Sequence, residues 1–393
     1  MGRSAIPAIL ALARLANAQI YADNIPLDHP AIRYFGDSPN DPVAQLQNRL
    51  DCGAAKLEFT ENGQGYLPGL LRELGIPIDS QALVFSKTSF QAGKISPKNP
   101  RAIYFNDQVA VGWVRGGNGI EIASLDPKQG VIFYTLPAAA EDQPRFTRRS
   151  ECLRCHRGPS TMGIPGIFVG SVFPGPTGAP DRDGGIITDH RTPFEDRWGG
   201  WYVNAVRGEQ KDRANAIAAD PAEPHSLGTE GRQNLRAFTH DFNTAGYLSP
   251  TSDIVALMTF EHQTQAVNLI TRLGWRARLH PADLDADIGA LVKYLGFADE
   301  APLREPIQGV SSFTETFPER GPRDRHGRSL RDFDLQRRLF RYPVSYMIYS
   351  PAFDALPDRI RSRVYKGIEA SLEPSSRAIV LEILRETKSD FPR

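Results

Sequence analysis

Cysteine is scarce in this chain: there are three in 393 residues, Cys52, Cys152 and Cys155. Three thiols cannot build the disulfide framework that staples small secreted domains. A bridge between Cys152 and Cys155 would close a very small loop, which removes little unfolded-state entropy and so stabilises little. Cys52 has no evident partner and reads as a buried small apolar residue. Net charge is missing as well, since 46 Lys+Arg balance 46 Asp+Glu. A neutral chain offers no electrostatic footprint for nucleic acid or for an anionic membrane surface. Past the N-terminus no segment reaches the ~18 apolar residues of a membrane span, so no integral span is expected in the mature chain. Internal repeats and low-complexity tracts are absent too.

What is abundant is turn chemistry: 34 glycines and 31 prolines. They point to a loop-rich fold rather than a helix bundle. With 40% hydrophobic and 23% charged residues the composition is that of a globular protein. The length suffices for two or three domains and a sizeable core.

The N-terminus has the grammar of an export signal. Met1-Gly2-Arg3 is a short positive region, and "AIPAILALA" (Ala5 to Ala13) is an apolar run of the right length. Ala16-Asn17-Ala18 matches the A-x-A cleavage pattern, with Gln19 as mature start, although Arg14 departs from the pattern. The competing reading is an amphipathic N-terminal helix. On the first reading, residues 1–18 are a signal peptide and the mature protein is periplasmic or otherwise exported.

Downstream, "DPVAQLQNRL" (Asp41 to Leu50) and "YLPGLLREL" before Gly75 are spaced as short amphipathic helices. Between residues 82 and 136 the runs "ALVFSKTSF", "AIYFND", "VAVGWV", "GIEIASL" and "GVIFYTL" alternate with short turn segments. Short connectors between β-branched and aromatic runs predict antiparallel hairpins. Residues 140 to 210 are punctuated by Gly and Pro, as in "GIPG" and "FPGPTGAP", yet carry Phe168, Phe173, Phe194, Trp198, Trp201 and Tyr202. Those aromatics argue for packing rather than disorder. From Ser252 onward the pattern is helical, with Ser252 as cap, Asp253 in the first turn, and Val255, Met258, His262, Ala266, Leu269 and Leu273 on one face. A second helix is expected from Pro281 to Leu295, and "IRSRVYKGIEASL" and "SRAIVLEILRE" read as the last two. The fold class expected is α+β.

The chemistry concentrates at Cys152-Leu153-Arg154-Cys155-His156, a C-x-x-C-H pattern, the attachment motif of c-type haem. One turn of backbone places two thiols for addition to the two vinyl groups, and the next residue offers its imidazole to the iron. A zinc site would need further His, Asp or Glu ligands from elsewhere in the chain. A redox dithiol would be expected beside a βαβ unit, and the neighbouring sequence is Gly/Pro loop. A chance match is the third alternative. With one motif, one covalent haem c is expected, and di-haem peroxidases, which need two such motifs, are a poor match.

For the sixth iron ligand the candidates in order are His190, His262 and Met258. His190 lies in the aromatic loop, where its competing role is a bond to Asp189 or Asp196. His262 lies on the apolar stripe, where its competing role is a satisfied core histidine. Met162 follows His156 too closely to swing easily to the opposite haem face. Arg148, Arg149, Arg154 and Arg157 are candidates for pairing with haem propionates. Trp198 and Trp201 are candidates for packing on the porphyrin, the alternative being an aromatic minicore. His29, His225, His240, His280 and His326 read as surface residues.

These residues carry a resemblance. "LVFSKTSFQ", "PRAIYFND", "TDHRTP", "RWGGWY" and "SDIVALMTFEHQ", together with the single C-x-x-C-H, resemble a family of large, exported bacterial cytochrome c domain-containing proteins. The resemblance covers most of the chain after residue 40. It implies haem binding and electron transfer to an unidentified redox partner protein, and no particular reaction. The small class I cytochrome domain does not match, because no methionine lies between Met162 and Met258. The organisation expected is a signal peptide (1–18), an α+β domain with antiparallel hairpins (19–140), a haem c attachment region (141–250) and a mainly helical region (251–393). A haem enzyme of peroxidase or oxidase type with an open distal site, or a haem-based sensor, is the alternative to an electron carrier.

Overall fold

Alternating β-branched and aromatic residues form a seven-stranded antiparallel sheet in the N-terminal part, followed by helices in the C-terminal part, so the α+β expectation holds. The computed structural model describes residues 25–181, 185–218, 223, 226–228, 232–238 and 241–392. The expected signal peptide lies outside the described residues, as do His225 and His240.

Helix α1 (Pro42–Asp51) starts where the sequence says it should. Asp41 caps it, its Oδ1 accepting from Val43 N at 2.9 Å, and Pro42 sits at the first helical position. The other carboxylate oxygen accepts from Tyr134 Oη at 2.7 Å, so the cap also ties the helix to the sheet. Helix α2 is Leu67–Glu73. Each of the five apolar runs yields a strand: β1 (Ala82–Val84), β2 (Arg101–Phe105), β3 (Val109–Trp113), β4 (Gly119–Asp126) and β5 (Gly130–Pro137). The Gly/Pro-rich region then supplies β6 (Thr147–Arg148), helix α3 (Leu153–His156), a separate pair β7 (Val169–Ser171) and β8 (Ile186–Thr188), and β9 (Trp201–Tyr202). The spatial order β6-β5-β4-β3-β2-β1-β9 puts segments of that region on both edges of the sheet.

The C-terminal part begins with α4 (Ile254–Leu279), followed by α5 (Asp285–Leu295), α6 (Phe313–Glu319), α7 (Pro351–Asp354), α8 (Asp358–Ser371) and α9 (Pro374–Thr387). The cap of α4 is Asp253, not Ser252: Asp253 is extended and accepts from Val255 N at 2.7 Å. Ser252 instead accepts from Leu83 N and donates to Tyr202 O at 2.6 Å, stitching β1 to β9. Helix α4 is also not a one-sided stripe. Almost every residue from Ile254 to Leu273 is buried, because the sheet covers one side and α5, α6 and α7 the other. Helix α5 begins four residues later than the sequence suggests, at Asp285.

Alternate strand residues serve two cores. Val84, Ile103, Phe105, Ala110, Val131 and Phe133 face α4 and the C-terminal helices. Leu83, Tyr104, Val111, Ile122, Ile132 and Tyr134 face α1, α2 and the aromatic loop of Phe238, Phe242 and Tyr247. Each fully buried apolar side chain contributes roughly 1.5–3 kcal/mol, so this double burial dominates the fold. The first core mixes residues from all three segments distinguished in the sequence. Close approach shows at Gly199, where an added Cβ would lie 1.9 Å from Val172 O.

Candidate functional site

The C-x-x-C-H segment leaves the sheet edge at β6. Ser150–Cys152 form a turn of 3-10 helix, and α3 places Cys155 and His156 on the next turn. Leu153 packs against both cores and anchors the turn. Both thiols are free, Cys155 exposed and Cys152 half-buried. Burial pushes the Cys152 thiol up to about 11, the Glu121 and Glu151 carboxylates add to this, and Arg149 opposes it. A protonated thiol is the reverse of what a metal ligand or disulfide-exchange centre requires. Among the described residues no group of three or more His, Cys, Asp or Glu converges on a metal-sized site, so the cysteines find no further zinc ligands.

His156 lies between Phe133 (ring centroids 4.9 Å apart) and Phe168 (5.4 Å). Its Nδ1 is 3.0 Å from Gly166 O, and Gly166 N donates back to His156 O at 3.0 Å. A carbonyl can only accept, so Nδ1 carries the proton and Nε2 is left with its lone pair. Burial lowers the pKa of the ring below the usual histidine value, which keeps it neutral. Among the described residues no hydrogen bond to Nε2 is formed.

The loop that presents the Gly166 carbonyl is held from α4. Asn268 Nδ2 donates to Ile167 O at 2.8 Å, and Arg272 Nη1 donates to Met162 O at 3.1 Å. Arg272 is in turn fixed by Asp287 at 3.0 Å. An added Cβ on Gly166 would lie 2.1 Å from Asn268 Oδ1, so helix and loop are in direct contact there. Asn268 and Arg272 are positioning residues that the sequence reading did not single out. The available signal was a pair of polar residues one turn apart, Asn268 and Arg272, on the helix that also carries the apolar stripe.

The sheet beneath His156 continues into a groove of about 530 Å³, lined by Glu121, Thr135, Arg149, Lys94 and Phe90 among others. Glu121 pairs with Arg101 at 3.0 Å. Arg149 donates to Thr135 Oγ1 at 2.8 Å.

His190 and His262 are brought together, although not beside His156. Their Nδ1 atoms are 2.9 Å apart, and His262 Nε2 is 2.6 Å from Ser345 Oγ. Both rings are buried, and Tyr294 and Phe297 pack against each of them. His262 is thus satisfied at both nitrogens, whereas the buried His190 Nε2 has no partner among the described residues. His190 bonds to His262 rather than to Asp189 or Asp196. No hydrogen bond or ring contact joins either ring to His156 among the described residues. Beneath the pair, Arg197 and Glu261 form a buried ion pair at 3.3 Å.

Met162 and Met258 are buried in the first core. Trp198 and Trp201 are buried there too: Trp198 packs edge-on against Phe194 and Trp201 Nε1 donates to Gly170 O at 2.8 Å, an aromatic minicore. Arg148 and Arg157 reach back to the N-terminal segment, donating to Tyr34 O and Ile25 O at 2.6 Å each. Arg154 is exposed. His29, His280 and His326 are exposed, as expected. Cys52 is not buried: it follows α1 as its C-terminal cap, and a cap on this short surface helix leaves the thiol exposed, 3.5 Å from Arg49 O.

Burial of His262 has a measurable consequence. Desolvation lowers its pKa from the ordinary 6.5 to about 3, with Asp189 opposing and Arg191 assisting. Below pH 6.5 the unfolded chain binds a proton at this residue that the folded chain refuses, so stability falls as the solution is acidified. His190 and Tyr294 face the ring, and Arg197 and Glu261 lie behind it. A His262→Gln variant lacks this contribution. The stability gap between wild type and variant is therefore expected to shrink by about 1.4 kcal/mol per pH unit between pH 6 and pH 4. Urea titrations at stepped pH check this, and a pH-independent gap would contradict it.

Compared with known proteins, the chain matches no family model, no curated protein and no solved structure. Among the described residues no helix is long and apolar enough to cross a membrane.

Proposed function

We propose that the chain is a c-type cytochrome. It holds one haem covalently through Cys152 and Cys155, takes His156 as iron ligand, and transfers electrons to a partner protein in an exported compartment. The observation that carries this reading is the state of His156. Its Nδ1–H is tied to the Gly166 carbonyl, its Nε2 takes no hydrogen bond among the described residues, and two free thiols lie within a turn of it.

The residues present fit such a group. Cys152 and Cys155 would hold the group as thioethers, each S–H adding across one vinyl double bond (sulfur to the inner carbon, hydrogen to the outer) with no oxidant or reductant consumed. A thiol kept protonated beside carboxylates survives in an oxidising compartment until that addition. The haem, when bound, supplies a one-electron couple at its iron. The chain's own part is to orient the ligand and set its basicity. The Gly166 carbonyl holds the proton on Nδ1 and raises the donor strength of Nε2. Phe133 and Phe168 restrict rotation of the ring, and Asn268 and Arg272 hold the loop that carries the carbonyl. Cys155 is exposed, so a haem edge held by it would be open to a partner protein.

The test is expression together with a covalent haem-attachment system, followed by a pyridine haemochrome spectrum of the purified protein. A band characteristic of two thioether links, at one haem per chain, is expected. Protein that emerges folded but without covalent haem would sink the reading.

A further inference from the structure

Charge is balanced over the whole chain but not along it. Between Asp79 and Asp107 no Asp or Glu occurs, whereas Lys87, Lys94, Lys98 and Arg101 do. A stretch of one sign in a neutral chain gives one face of the protein a local field. Hydrogen bonds fix the middle of this stretch to the sheet. Ser89 donates to Glu121 at 2.9 Å, and Gln91 donates to Gly119 O at 3.0 Å and accepts from Asn118 N at 2.9 Å. Phe90 lies between these two anchors, yet it is 74% exposed, the most exposed large apolar side chain among the described residues. The anchored backbone presents the ring to solvent, so a molecule that covers it has no main chain to order there.

The surroundings of the ring carry the same sign. Of the residues that line the 530 Å³ groove with Phe90, Lys94 and Arg149 are cationic and Glu121 alone is acidic. The Glu121 carboxylate is already paired with Arg101 at 3.0 Å. Glu151 approaches Arg149 at 3.5 Å, but their side chains are 41% and 39% exposed, so another carboxylate can replace it at little cost. This face also adjoins the attachment segment. Arg149 N donates to Phe133 O at 2.8 Å, Phe133 packs on the His156 ring, and Cys152 follows Arg149 closely in the chain. A molecule seated on Phe90 and Arg149 therefore lies beside the segment that carries Cys152 and Cys155.

We propose that Phe90 and the cations around it form the docking surface for an acidic redox protein. Phe90 is the apolar anchor at its centre, and Lys94 and Arg149 pair with carboxylates of the partner at its rim. The proposal rests on the cytochrome reading above and names the partner of that same site. Electron-transfer complexes bury less than about 1,200 Å² in all, so one aromatic anchor and a few cations suffice. Opposite charge brings the two proteins together quickly at low salt. The neutrality of the whole chain is no obstacle, because at 0.1 M salt charges act over only about 10 Å.

The experiment uses the full holoprotein, with flavodoxin as the acidic probe. Calorimetric titration of the two oxidised proteins at low ionic strength reads docking without electron transfer. Saturable binding is expected, weakening as salt is added. Phe90→Ala and Lys94→Glu, both at exposed positions with little packing to lose, are each expected to weaken it several-fold. Ile379→Ala, an exposed apolar change on α9, serves as control and leaves it unchanged. Stopped-flow reduction of the haem by reduced flavodoxin is expected to slow in the same order. Absence of binding overturns the docking surface. So does an affinity that follows Lys94 but ignores Phe90, the mark of an unspecific cation patch. Docking with the expected pattern in protein that lacks a haemochrome signal upholds the surface and overturns the cytochrome reading, so the two fail separately.

Discussion

Replacing Cys152 and Cys155 together by serine is expected to remove all covalently held haem and leave the fold standing. The two halves of that expectation have separate causes. The chemical half is absolute, because a hydroxyl does not add to a vinyl group as a thiol does, and Cys52, exposed at the end of α1, belongs to a different segment. The structural half follows from exposure. Cys155 is exposed and Cys152 only half-buried, and neither thiol is in a disulfide. Changes at such positions usually shift stability by about 0.5 kcal/mol or less. The double variant should therefore unfold in urea close to the wild-type midpoint while giving no haem-stained band in a denaturing gel. Each single variant keeps one thioether and one stained band, with its pyridine haemochrome maximum displaced toward that of a haem with a vinyl group restored. A stained band surviving in the double variant would show that the attachment lies elsewhere.

What the sequence discloses here is what local chemistry decides. The strands are legible because β-branched and aromatic runs separated by short turns leave the chain one economical option, the hairpin. The C-x-x-C-H segment is legible because its three defining residues fall within a single turn. The helix starting at Asp41 is legible because an Asp-Pro pair before an apolar period is both a cap and a first turn. The features that escape depend on contacts between distant segments. His190 and His262 are 72 residues apart, and no local pattern announces that their rings meet. The edge strands Thr147–Arg148 and Trp201–Tyr202 are two residues each, too short for any periodicity to register. Helix α4 reads as one-sided because apolar spacing marks the face that prefers burial. Thr259, Gln263, Thr264 and Asn268 are nevertheless buried, because hydrogen bonds to Val255, Asn106, Glu261 and Ile167 satisfy them. The groove beside His156 is visible only once register is known, since it depends on which row of the sheet α4 leaves uncovered.

The same distinction explains why the sequence ranked His190 and His262 as iron ligands. Both are histidines in apolar surroundings within chain reach of the motif, and a burial pattern alone does not say what a buried imidazole bonds to. The structure pairs them with each other, close to one of the molecule's deepest ion pairs. Burying an imidazole pair beside a charged pair is costly, and that cost is tolerable only if each polar group finds its partner.

Arg197→Met is expected to be the most damaging single substitution in that cluster, costing about 3–5 kcal/mol, as removal of one member of a buried ion pair does. Arg197 is 3% and Glu261 0% exposed at the side chain, so no water replaces the lost guanidinium. Arg197 also donates to Thr192 O and His190 O, both at 2.8 Å, and these carbonyls lose a donor as well. The carboxyl left behind responds to its new surroundings. Burial already raises the pKa of Glu261, and Arg197 is the main influence holding it down, with Thr188 and Trp198 assisting. Without Arg197 burial raises the pKa of that carboxyl further in the folded variant, whereas in the unfolded chain it ionises near the ordinary 4.5. The folded variant then holds its proton to higher pH than its unfolded chain does, so acidification toward 4.5 stabilises the variant. The penalty of Arg197→Met should accordingly be largest near pH 7.5 and smaller near pH 5, measured by urea unfolding at both. Adding Glu261→Met to it should recover much of the loss at pH 7.5, because the second change removes the orphaned carboxyl. An equal penalty at both pH values, with no recovery in the double variant, would mean that Glu261 reaches solvent or another cation once Arg197 is gone. The stability of this core would then owe little to the pair.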